Sequence, residues 1–101
     1  MTKNQEIAST IMNQLGGSNR LNAMIGLKDV YAVENGLSFK MKCKGAKVNY
    51  VKIVLNSLDL YDMELGKIHG NSYKVIKSIE NVYCDQMKEI IEKTSGLYLS
   101  L

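Results

Sequence analysis

Hydrophobic positions follow one spacing at the start of this chain, a second through its middle and the first again near its end. Ile7, Ala8, Ile11, Met12 and Leu15 fall at i, i+1, i+4, i+5 and i+8, which gathers them on one stripe of a helix. Thr2 and Gln5 fit a capping box at its start. Gly16-Gly17 predicts its end, because glycine accepts the left-handed conformation of a C-cap.

Through the middle the spacing drops to two. Asn35-Gly36 is the strongest turn signal in the chain and predicts a type I′ hairpin, with positive φ at both central positions. After it, Leu37, Phe39 and Met41 alternate with Ser38, Lys40 and Lys42, a half-buried strand with lysines on its wet face. Val30 to Val33 is the partner strand, extended back through Ala23 to Gly26 with a bulge near Lys28-Asp29. Cys43 to Lys47 reads as a basic loop. Val48 to Leu55 sets Val51, Ile53 and Leu55 against Tyr50 and Lys52, and Leu60 to Ile68 sets Tyr61, Met63 and Leu65 against Asp62 and Glu64. Antiparallel pairing of these two strands would bring Lys52 opposite Asp62 or Glu64. His69 to Ser72 turns the chain, and Tyr73 to Ile79 is a fifth strand. Helical spacing returns from Tyr83 to Thr94 with the stripe Tyr83, Met87, Ile90 and Ile91, Asn81 as cap and Gly96 as stop. The expected architecture is α+β: an N-terminal helix, an antiparallel meander of four to five strands, and a C-terminal helix, with both helices on one sheet face. The other face is left to water.

Length and charge narrow the setting. A chain of 101 residues fits one domain, residues 1–101, with one modest core. No apolar run approaches the ~20 residues that span a bilayer, and the N-terminal residues lack a secretory h-region. A cytoplasmic protein with no membrane association is expected. Cys43 and Cys84 form no metal or redox motif; two free thiols are expected, because a cytosolic setting disfavours a disulfide. Leu97, Tyr98, Leu99 and Leu101 form an apolar tail that packs on the domain or serves as a homodimer contact. The net charge is only +3, but it is unevenly spread. Phe39 to Asn56 holds Lys40, Lys42, Lys44, Lys47 and Lys52 and no carboxylate, whereas Asp59, Asp62 and Glu64 follow at once.

Catalytic chemistry finds little to use. His69 is the only histidine and sits in a Gly-Asn-Ser turn, so a nucleophile has no base–acid pair beside it. Cys84 near a helix start is expected to be a packed thiol. Asp59, Asp62 and Glu64 are oxygen ligands of the kind Mg²⁺ takes, and with Lys52 or Lys67 they give a weak nuclease alternative. Charged residues on the wet face of a strand are the ordinary explanation. Gly16 to Arg20 follows a helix where a phosphate loop opens one. The expectation is a protein without enzymatic activity and without cofactor or metal.

Further residues carry a likeness. Leu15-Gly16-Gly17, Asn19-Arg20, Ala23-Met24 and Gly26 are followed by Asn49-Tyr50-Val51-Lys52-Ile53, Leu55, Asp59 and Tyr61-Asp62. Val82-Tyr83 and Thr94-Ser95-Gly96-Leu97-Tyr98 complete the set. Together they resemble a group of small proteins encoded by phages and prophages. Leu21 and Ile25 depart from that pattern, where an aromatic residue and a threonine are expected. The resemblance implies a phage-type protein and carries no catalytic residue. By analogy of class it implies docking on a host protein or complex, with inhibitors of CRISPR nucleases as one instance. The leading expectation is therefore an interaction protein, an inhibitor of a host defence system among the readings. The alternative is DNA or RNA binding through Lys40, Lys42, Lys44, Lys47, Tyr50 and Lys52, with the lysines on phosphates and Tyr50 as a stacking ring. Arg20 is the only arginine, which leaves few bidentate base contacts.

Overall fold

A computed structural model describes residues 3–17, 26–41 and 48–95. Helix α1 spans Lys3–Gln14, and strands β1 to β5 span Leu27–Val33, Gly36–Met41, Tyr50–Leu55, Tyr61–His69 and Ser72–Val82. A single 3₁₀ turn, Cys84–Gln86, leads into helix α2, Met87–Ser95. The five strands form one antiparallel sheet in sequence order. The α+β meander with flanking helices is as the alternation predicts.

The periodicities decide which side of each element is buried. On the sheet, Leu37, Phe39, Met41, Val51, Ile53, Tyr61, Met63 and Leu65 turn inward, and Ala8, Ile11 and Leu15 of α1 meet them. Met87 and Ile91 of α2 complete the same core. Burying a large aliphatic or aromatic side chain of this kind stabilises the fold by roughly 1.5–3 kcal/mol. Gly16 and Gly17, with φ of 107° and 92°, end α1, and Gly17 N–H donates to the Met12 carbonyl at 2.9 Å.

Three local features differ from expectation. The hairpin between β1 and β2 exists, but Val33 pairs with Gly36, so its central residues are Glu34 and Asn35. Only Asn35 has positive φ, 56°, so the turn is not type I′. Gly36 instead opens β2, where a Cβ would collide with the Ile53 carbonyl oxygen. The glycine is there for a close strand approach. Second, β5 reaches Val82 and contains Asn81 at φ 57°, so Asn81 caps no helix. Tyr83 takes the position before the 3₁₀ turn, where its N–H donates to Gln86 Oε1 at 3.2 Å. Its ring is exposed and leaves the predicted stripe. Third, Cys84 is an exposed free thiol, not a packed one, because the 3₁₀ turn separates it from the buried stripe of α2. The expected bulge near Lys28-Asp29 is present, with Asp29 at φ 51°. Cys43, Thr2, Gly96, the C-terminal tail and the proposed extension of β1 through residues 23–25 lie outside the described residues.

Candidate binding surface

Neither helix packs on the outer face of the sheet, and strand register fixes what that face carries. The pairings align Tyr31, Ser38, Lys52, Glu64 and Ser78 in one row across the five strands. The next row is Lys28, Lys40, Tyr50, Gly66 and Val75. Toward the other end lie Val54 and Asp62, with Glu80 beside them along a shallow depression of about 260 Å³. The face is therefore divided by charge. Lys28, Lys40 and Lys52 occupy the β1–β3 half, and Asp62, Glu64 and Glu80 the β4–β5 half.

Of the six residues nominated from sequence, three are described. Lys40 is not an isolated cation: its Nζ lies 3.3 Å from Asp29 Oδ2, and Asp29 owes that position to the bulge in β1. Lys52 sits directly opposite Glu64, one of its two predicted neighbours. Tyr50 lies on the outer face between Lys40 and Gly66. Lys42, Lys44 and Lys47 lie outside the described residues. The outer face is thus mixed in charge rather than uniformly basic.

Its aromatic centre was only half legible. Tyr50 meets Tyr73 edge to face, with ring centroids 5.5 Å apart and planes at 84°. Alternation in the sequence places Tyr73 only as a strand residue. Its hydroxyl donates to Glu64 Oε2 at 2.8 Å, and its ring lies where a side chain at position 66 would stand. A glycine interrupting an alternating strand marks such a close approach, so Gly66 was the available signal. Burial, the hydrogen bond to Glu64 and the nearby carboxylate charge together hold the Tyr73 phenol well above the ordinary tyrosine range. Despite these contacts Tyr73 is 44% exposed, as are Val75 at 46% and Tyr31 at 61%.

Asp62 and Glu64 have structural partners. Asp62 Oδ1 accepts from Asn56 Nδ2 at 2.9 Å and from the Asn81 amide at 3.2 Å. Asn56 also accepts from the Leu58 and Leu60 amides, at 2.8 and 3.2 Å. Asp62 thus ties the β3–β4 turn to the last bulge of β5. Asp59 lies in that turn at φ 60°. Among the described residues no three histidine, cysteine or carboxylate side chains are grouped to hold a metal ion. His69 ends β4 in an exposed position.

Long strands at a sheet edge invite pairing with other chains, but β5 resists it. Two bulges, at Ile76 and at Glu80-Asn81, interrupt its ladder with β4, and Lys74 and Lys77 punctuate it. Both are devices that blunt an edge. Contact through the side-chain face is therefore favoured over strand addition.

Comparison of the chain with protein-family models, with curated proteins and with solved structures finds no match.

Proposed function

We propose that this is a non-enzymatic interaction protein that docks on a partner protein through the open face of its sheet. The observation that carries this reading is the composition of that face: a lysine half with exposed Tyr31 at its edge, beside a carboxylate half with exposed Tyr73 and Val75. Tyrosine is enriched among the residues that dominate binding energy, and separated charges of both signs fix orientation and exclude wrong partners. A phosphate backbone laid across the same face would meet Asp62, Glu64 and Glu80. A protein surface can answer both halves. The likeness to phage proteins supplies the partner class, a component of a host machine, of which a host defence complex is one example.

The reading is tested by affinity capture from host lysate treated with nuclease, using the wild-type chain and a Tyr31→Glu/Val75→Glu variant. Both positions are exposed enough for the variant to fold. A stoichiometric protein partner retained by the wild type and lost by the variant is expected. Equal recovery by the two chains would remove the outer face from the account.

A further inference from the structure

The two edges of the sheet are built differently. Lysines and two bulges interrupt β5, but β1 carries its bulge at one end only. Counted along the ladder with β2, Lys28 and Tyr31 stand two rungs apart, and Asp29 and Val30 share the rung between them. From there Val30, Tyr31, Ala32 and Val33 run to the turn without a charge. Val30 is 44% exposed, and Ala32 is exposed beside Tyr31. Among the described residues, no backbone hydrogen bond reaches residues 30–33 from outside the sheet. An accessible, apolar edge of this kind is a template for another strand.

Alternation divides the side chains of this edge. Tyr31 pairs with Ser38 and belongs to the open face, whereas Ala32 pairs with Leu37 and belongs to the helix side. There Val30, Ala32 and Leu37 line a groove of about 340 Å³ together with Ala8 and Met12 of α1. The charges around the edge are few. Asp29 is engaged by Lys40 at 3.3 Å. Lys28 faces Lys40 across the ladder, is exposed, and forms no ion pair among the described residues. Glu34, in the turn at the other end of β1, is exposed and makes no ion pair among them either. A cation at one end and a carboxylate at the other make β1 complementary to an antiparallel copy of itself.

We propose that β1 is a dimerisation edge, pairing antiparallel with β1 of a second copy about a two-fold axis through Tyr31. Tyr31 then lies beside Tyr31 of the second copy on the open side, and Val30 beside its Ala32 on the helix side. Lys28 comes opposite the copy's Val33 and one rung from its Glu34, and the two-fold axis makes that contact twice. Opposite charges on neighbouring strands stabilise a sheet. The product is one continuous sheet across both copies, with their open faces side by side. Pairing along one edge buries less than the ~1,200 Å² of a standard interface, so the dimer is reversible and concentration-dependent. This goes beyond the docking reading: it shares Lys28 and Tyr31 with the margin of the open face and adds Val30, Ala32 and Glu34, which that reading does not use.

The test measures the mass of the full-length chain by sedimentation equilibrium at low salt, from about 10 μM to about 1 mM, concentrations that populate a weak interface. Wild type is compared with Lys28→Glu, with Glu34→Lys, and with an equimolar mixture of those two variants; thermal melts show that each folds. The proposal predicts a monomer–dimer equilibrium for the wild type. Each single variant sets like charges together twice and should associate at least about 3-fold more weakly. The mixture should recover wild-type association, because each chain then meets an opposite charge at both contacts. Lys74→Glu, on the opposite edge, should leave association unchanged. As a second readout, mild oxidation should link Tyr31→Cys chains to one another faster than Val75→Cys chains, since residues opposed in an antiparallel pair stand within disulfide reach. A wild-type chain that stays monomeric throughout, a mixture no tighter than its components, or equal cross-linking of the two cysteine variants would each overturn the proposal. A monomer would leave capture of a protein partner by the open face untouched, and failed capture would leave the dimer standing.

Discussion

Tyr73 shows how one side chain is fixed while remaining available. Glycine at position 66 makes room for its ring, Glu64 accepts its hydroxyl, and Tyr50 braces its edge. Tyr73→Phe keeps the ring and removes the hydrogen bond; at a half-exposed site it should cost about 1 kcal/mol in denaturant unfolding. The pH dependence has a definite sign. The folded chain holds the phenol proton more tightly than the unfolded chain, whose tyrosines titrate near ~10. That stabilisation is complete below this value and is lost as pH rises through the higher folded value. Burial also raises Tyr61, against the opposing effect of its hydrogen bond to Gln14. Absorbance titration at alkaline pH should therefore show late-ionising tyrosines, and Tyr73→Phe should remove one such step. An unchanged late phase in that variant would contradict the assignment.

At the scale of elements, alternation decides strand faces and bulges decide where alternation fails. Phe39 lies fully buried in β2 opposite Val51 of β3, so Phe39→Ala should cost about 3–5 kcal/mol in chemical unfolding. Asn49 acts as a side-chain substitute for a strand rung against Ile68. Asn49→Ala leaves both Ile68 backbone groups without that partner and should cost about 1–3 kcal/mol. Amide exchange should accelerate at Ile68 before the rest of β4; uniform exchange across the strand would contradict this local role. Spacing in the sequence located all five strands and both helices because each buries one face only. It misplaced the first hairpin turn by one residue, since Asn35-Gly36 is a turn signal whether glycine supplies positive φ or only lacks a Cβ. The end of β5 was missed for a related reason: Asn81 resembles a cap, but its left-handed conformation serves a bulge.

Across the whole molecule, the charge pattern was legible along the chain but not in space. Lys40 and Lys52 stand out in sequence, yet Asp29 and Glu64 reach them only through a bulge and a strand register. The outcome is a sheet with one face packed under helices and one mixed, aromatic face open. Engagement of a protein through the open face remains the proposal to be measured. It is tested most directly by nuclease-treated affinity capture with the wild-type chain and the Tyr31→Glu/Val75→Glu variant, read by quantitative mass spectrometry. A stoichiometric protein partner that survives nuclease and disappears with the variant is expected. A partner that vanishes on nuclease treatment, or one retained equally by both chains, would contradict it.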